Sequence, residues 1–374
     1  MNTKYVVGAL LIAGVVAVVS ILHQTPTTPV APIKIGLIGP LSGDGAAWGV
    51  IEKNVMELAV DEVNTAGGIN GRRIEVAYED GRCEGTTGLS AAKKLVEVDG
   101  IKILFVSCSQ EMQSIAPYAQ AHKVIAWTSY ASASTITHAG DYIFRNSYSN
   151  IDMAQAMATQ ALKKGKRVAI ITEHSAFASD LEHFFVQDVP AGGGAVVAQE
   201  IFEQGTRDMR TQITKLLASK PDVVVLNPNG RDTGLAILKQ LSDQGYQGPL
   251  VGNFFGGSRD VQLSTQAQGM VYVSDPVFVE SPLKQKVFAA YIHRYEQPDM
   301  EWPVGSRYDA IYILKDALLA VGDDPTKLKD YLHHMPKAFT GILGTYRFDA
   351  NDADITNVQP SIAKIQNFIS VPVK

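Results

Sequence analysis

From Ile33 onward, short β-branched apolar runs alternate with longer stretches whose apolar residues recur at helical spacing. That alternation is the pattern of βαβ units built on a mostly parallel sheet. Strands are expected at Ile33–Ile38, Ile74–Tyr78, Ile101–Val106 and Val124–Trp127, with helices at Val50–Asn64, Thr86–Val98 and Gln110–His122 between them. A second series repeats the grammar. Its helices are Asn150–Lys164, Asp180–Val189, Asp208–Ser219 and Thr233–Gln244, and its strands Val168–Thr172, Ala195–Gln199, Val223–Asn227, Leu250–Gly252 and Met270–Val273. Two such series predict an α/β protein of two similar lobes, each with its own sheet. Helices at Pro282–Tyr295, Arg307–Val321 and Thr326–His334 follow, and Ala363–Ile369 is expected to close the last sheet. The Gly-rich segments Thr65–Gly71 and Ala191–Gly194 read as turns.

The apolar run Tyr5–Leu22 breaks this pattern and stands apart from the fold, with Lys4 as the only nearby charge. Its length lies between a signal-peptide core and a full membrane span. Cleaved signal and retained anchor both fit, and no cysteine follows the run to carry a lipid. Gln24–Pro32 (QTPTTPVAP), with three prolines and no apolar periodicity, reads as an extended spacer. The remainder is therefore expected outside the cytoplasm, tethered to the membrane only if the N-terminal segment is left uncut. At 374 residues the chain has room for two domains of ordinary size. Its net charge of −5, without a long basic run, offers no footprint for nucleic acid. Cys83 and Cys108 fit an oxidising compartment as a disulfide and fit a buried core equally well as two thiols.

Catalytic and cofactor motifs are missing. No GxxxxGK[ST] loop occurs, and Gly43-Asp44-Gly45-Ala46-Ala47-Trp48 puts a tryptophan where a dinucleotide loop needs a third glycine. There is no GxSxG elbow, Ser90-Ala91-Ala92-Lys93 lacks its partner motifs, and the eight histidines are scattered without metal-binding spacing. No enzyme, cofactor or metal site is expected. What stands out is small hydroxyl residues where strands meet helices: Gly39–Trp48, Ser107-Cys108-Ser109 and Thr128–Ser134. Crevices at the carboxyl ends of parallel strands are where such folds bind ligands. The helix after Val106 would turn its free amides toward an anion, and Ser109 either adds a hydroxyl donor or caps that helix.

The segments IKIGLIGPLSGDGAAWG, DEVNTAGGINGRRIEVAYEDGRC, VSCSQEMQSIAPYAQ and AWTSYASAST together resemble the branched-chain amino acid binding proteins of ABC transporters, with the type I periplasmic binding fold. The likeness runs from Ile33 to the C-terminus, closest before Arg145, and continues in DVVVLNPNGRDTGLAILKQLSDQG and SRYDAIYIL. It implies two Rossmann-like lobes joined by three crossings near Ser149, Asp275 and Gly344, with lobe 1 formed by 33–148 and 277–343, lobe 2 by 149–276 and 344–374, and 1–32 outside both. It implies a disulfide between Cys83 and Cys108. It also implies that a ligand carboxylate rests on Ser109, Tyr130, Ala131 and Ser132, with Trp48, Tyr148, Phe177 and Asn229 lining the cleft.

One departure concerns the ligand. Amino-acid binders of this kind carry an acid after the strand Leu250–Gly252 to pair with the ammonium, where this chain reads Asn253-Phe254-Phe255-Gly256. A buried ammonium without a counter-charge costs several kcal/mol. Either another acid such as Asp232 or Asp309 replaces it, or the ligand lacks an ammonium. The sequence favours a carboxylate or amide ligand whose apolar or aromatic body rests on Phe254 and Phe255. The function implied is a monomeric receptor that captures a small solute and hands it to an ABC permease; the alternative is a membrane-tethered sensor using the same clamp.

Overall fold

The computed structural model describes residues 31–276, 278, 280–350, 354–355 and 358–373. The apolar run and most of the proline-rich spacer lie outside these. The first sheet is built from β1 (Ile33–Gly39), β2 (Ile74–Asp80), β3 (Ile103–Val106), β4 (Ile125–Thr128) and β5 (Ile143–Arg145), in the order β2-β1-β3-β4-β5 and parallel throughout. Near-continuous burial along β3 and β4 marks strands covered on both faces. α1 (Ala46–Thr65) packs on one face, and α2 (Gly85–Lys93) and α3 (Ser109–His122) pack on the other.

The second sheet contains β6 (Arg167–His174), β7 (Ala195–Glu203), β8 (Val223–Asn227), β9 (Leu250–Gly252) and β10 (Val271–Ser274), all parallel. α4 (Asn150–Leu162) leads into β6, and between the strands run α5 (Ala176–Ala191), α6 (Arg210–Ala218) and α7 (Arg231–Asp243). The short α8 (Arg259–Leu263) follows β9. The chain then returns to the first lobe through α9 (Pro282–Arg294), α10 (Trp302–Val321) and α11 (Pro325–His333), where α10 lies against α1. A small antiparallel pair, β11 (Phe339–Gly341) and β12 (Gly344–Tyr346), precedes the last crossing.

Two differences from the sequence reading have clear causes. The single closing strand is a hairpin, β13 (Ser361–Gln366) and β14 (Ile369–Pro372), with β13 antiparallel to β10, so the second sheet is mixed. Its two-residue turn, Asn367-Phe368, has positive φ at both positions (52° and 64°). That is the geometry tight hairpins require, but Phe368 is a residue rarely found there, so composition hid the turn. β5 is only three residues long and its apolar signal is too brief to stand out from a loop.

Three segments join the sheets: β5 to α4, β10 to α9, and β12 to β13. The first and third are locked together. The buried Arg145 guanidinium gives Nε to Asp354 Oδ1 at 2.8 Å, pairs again with Asp354 Oδ2, and donates to Ala133 O at 2.8 Å and Thr137 Oγ1 at 2.7 Å. All three of its nitrogens are satisfied, the condition under which a buried charge is tolerated.

Candidate ligand-binding cleft

In the first sheet the strand order reverses between β1 and β3, and in the second between β6 and β8. Both switch points open at the carboxyl ends of their strands, the place where α/β folds bind ligands. The loops leaving these strand ends face one another across a cleft whose non-protein space, mouth included, is about 520 Å³.

From the first lobe come Ser107, Ser109 and Gln110 after β3, and Tyr130, Ala131 and Ser132 after β4. The helix cap is Cys108 and not Ser109, which is the first residue of α3. Glu111, three residues on, takes the Cys108 amide at 3.1 Å and the Cys83 amide at 3.0 Å. Ser109 Oγ accepts the Ala133 amide at 3.3 Å and donates to no group among the described residues. Cys83 and Cys108 form a disulfide, with Cα atoms 5.2 Å apart, at the cleft edge. Arg82 and Cys83 both sit at φ 56°, a backbone held in place by this bond and by Glu111. Glu111 is buried, and burial pushes its carboxyl up to about 7 against the pull of its two amide bonds.

The walls are aromatic. Trp48 lies on Tyr130, ring centroids 4.8 Å apart, and Phe177 meets Phe254 edge-on at 5.2 Å from the second lobe. Ser175 caps α5 through the Ala178 amide at 3.1 Å and donates to Asn229 Oδ1 at 3.3 Å, fixing that amide at the cleft edge. Below them Tyr148 and Trp302 meet edge-on at 5.8 Å. Trp302 is anchored by its Nε1 donating to Ser129 O at 3.1 Å.

Of the ten residues expected at the ligand, Trp48, Ser109, Tyr130, Ala131, Ser132, Tyr148, Phe177, Asn229 and Phe254 line this cleft. Phe255 does not. The Phe255 ring is buried in the second lobe's core, where a Cβ on Gly234 would sit 2.3 Å from it. Of the two acids considered as replacements, Asp309 is buried away from the cleft and Asp232 lies beside its mouth, in a recess shared with Trp48, Cys83 and Asn229. Asp309 accepts the amides of Ile342 (2.8 Å) and Leu343 (2.9 Å) inside the first lobe, and Asp232 is paired with Arg231 at 2.9 Å.

The acid that does line the cleft is Asp275, on the second crossing. Its Oδ1 accepts the Tyr148 hydroxyl at 2.7 Å, while burial pushes its carboxyl up to about 6 in spite of that bond. Sequence reasoning placed a crossing here and gave the residue no part in binding. Trp302, Ser175 and Gln110 were also missed, because each carries its meaning only once distant segments converge.

Known proteins confirm the architecture. The profile of the periplasmic binding protein family matches residues 32–362. The chain belongs to that family. Similar periplasmic binding proteins include Leu/Ile/Val-binding protein homolog 3 of Brucella melitensis, 27% identical over 311 residues, 81% of this chain and 83% of that protein. Among solved structures, the branched-chain amino acid transporter substrate binding protein of Streptococcus pneumoniae, in complex with isoleucine, is 25% identical with a TM-score of 0.80, covering 91% of this chain and 97% of that one. A solute binding protein of an ABC transporter from Rhodopseudomonas palustris BisB5, in complex with 3,4-dihydroxy benzoic acid, is 24% identical with a TM-score of 0.77, covering 89% and 93%. The family and the relatives named here are binding proteins, and this chain is a binding protein of that family. The family is extracytoplasmic. Among the described residues no helix is long and apolar enough to cross a membrane.

Proposed function

We propose that this chain is an extracytoplasmic receptor that captures a small carboxylate-bearing solute between its lobes and presents the closed form to an ABC permease. The observation that carries the reading is the α3 N-terminus. Its first two residues, Ser109 and Gln110, line a cleft walled by aromatic side chains from both lobes, and the Ser109 hydroxyl donates to no group among the described residues. Free amides at a helix start favour an anion, and aromatic walls suit an apolar body beside it. Differential affinity for the closed arrangement then drives the hinge.

Native mass spectrometry of the purified protein is expected to show one small organic acid or amino acid per chain. Titration calorimetry with that compound should show Ser109→Ala weaker by about 1.5–3 kcal/mol, the range for a hydrogen bond to a charged group, with the melting temperature nearly unchanged. An unaltered dissociation constant would remove the carboxylate from α3.

A further inference from the structure

The hydroxyls and carboxylate of the cleft do not all offer the same polarity. Asn150 spends its Nδ2 on Phe177 O and Asp180 Oδ2, both at 2.9 Å, so its Oδ1 must be the acceptor facing Ser132. Ser132 Oγ therefore gives its proton to Asn150 at 2.7 Å and shows the cleft only lone pairs. Ser107 is in the same position. Its proton goes to Glu52, whose other oxygen is held by the buried Arg307 at 2.8 Å. Ser109 is the exception, with its proton free. The cleft thus presents donors at the start of α3 and acceptors at Ser107, Ser132 and Asp275. A carboxylic acid alone uses only the first set.

Asp275 adds charge to that pattern. Tyr148 is its hydrogen-bond partner among the described residues, through Oδ1, which leaves Oδ2 for a ligand. The groups whose ionisation it touches are Tyr148, Tyr130 and Tyr272, and among the described residues no lysine, arginine or histidine neutralises it. Glu52 and Arg307 reach Tyr130 from the other side as a closed pair. We propose that Asp275 selects an ammonium group, so that the cleft takes a zwitterionic α-amino acid in preference to a carboxylic acid of the same shape. The inference rests on the receptor reading above and deepens it. It also reverses the expectation drawn from Asn253: the counter-charge comes from the second crossing, not from the loop after β9. Because Asp275 sits on a segment that joins the lobes, the ammonium contact is made at the hinge itself.

The test compares matched pairs by calorimetry: L-leucine with 4-methylpentanoate, and L-phenylalanine with 3-phenylpropanoate. Wild-type protein should prefer the better amino acid of the two over its des-amino partner by at least about 30-fold, and Asp275→Asn should erase most of that ratio while leaving des-amino affinity within a few-fold. Burial holds the Asp275 carboxyl at about 6. Amino-acid affinity of the wild type should therefore fall from about pH 7.5 to about pH 5 as the counter-charge is protonated, and the fall should be absent in Asp275→Asn. Circular dichroism melts establish that the variant is folded, and Asp275→Glu, which keeps the charge, should retain part of the preference. A wild type that binds the des-amino acids as tightly or more tightly, or a ratio unchanged in Asp275→Asn, overturns the assignment. If those des-amino acids are weakened by Ser109→Ala, the receptor reading survives that failure. If no acid of either kind binds and Ser109→Ala changes nothing, both readings fall together.

Discussion

Ser109 and Ser132 look interchangeable in the sequence and carry opposite polarity in the cleft, because Asn150 claims one proton and none of the described residues claims the other. Such a distinction depends on partners 18 and 24 positions away and has no local signature. Buried carboxyls show the same dependence on context. Asp309, inside the first lobe, is pushed up by burial to about 7 from 3.8, against the bonds it accepts from two amides and Tyr346. A carboxyl raised on folding stabilises the protein where it is protonated: its contribution is complete below its unfolded pKa and is lost as pH rises through the folded one. The melting temperature of the wild type should accordingly drop between about pH 4 and pH 7.5, and Asp309→Asn should flatten part of that slope. Equal slopes in both proteins would mean the carboxyl is ionised throughout.

At the scale of elements, helices and strands with sustained period were legible in kind and place: β8 and β9 have the limits that periodicity predicts, α1, α5 and α10 begin four or five residues earlier than expected, and the fold class followed from the alternation. What escaped notice was short or set by distant partners, as with β5, the β11–β12 pair and the C-terminal hairpin. The start of α3 was half legible. Its position was readable, while its cap was not, because Glu111 takes the Cys108 amide and frees Ser109. The disulfide ties this start to the loop after β2 across 25 positions, and a loop of that size corresponds to roughly 3–4 kcal/mol in the chain-entropy model. Replacing both cysteines with serine is expected to lower unfolding free energy by about that amount in urea titrations. Ligand affinity should fall less than stability does. A double variant as stable as the wild type would show that packing and Glu111 alone hold the loop.

For the molecule as a whole, three crossings connect two cores, and the hydrophobic cluster that lines the inner faces runs through Tyr148 and Phe177 from one lobe into the other. Arg145 and Asp354 clamp the first crossing to the third. Arg145→Met, which removes the cation and strands Asp354, should cost about 2–4 kcal/mol once the partial exposure of the aspartate is allowed for. Thermal melts that move by less than a degree would exclude this role. Arg231, at the cleft mouth, reaches Asp299 of the other lobe at 3.3 Å, a half-exposed pair worth at most about 1 kcal/mol. On the proposed function, closure is driven by the captured solute and not by this contact. The crystal structure of the protein saturated with its co-purified solute tests that claim most directly. The account predicts the solute between the lobes, with a carboxylate oxygen about 2.7–3.2 Å from Ser109 Oγ and the α3 amides. A solute bound outside the cleft, or one whose carboxylate faces the second lobe, would contradict it.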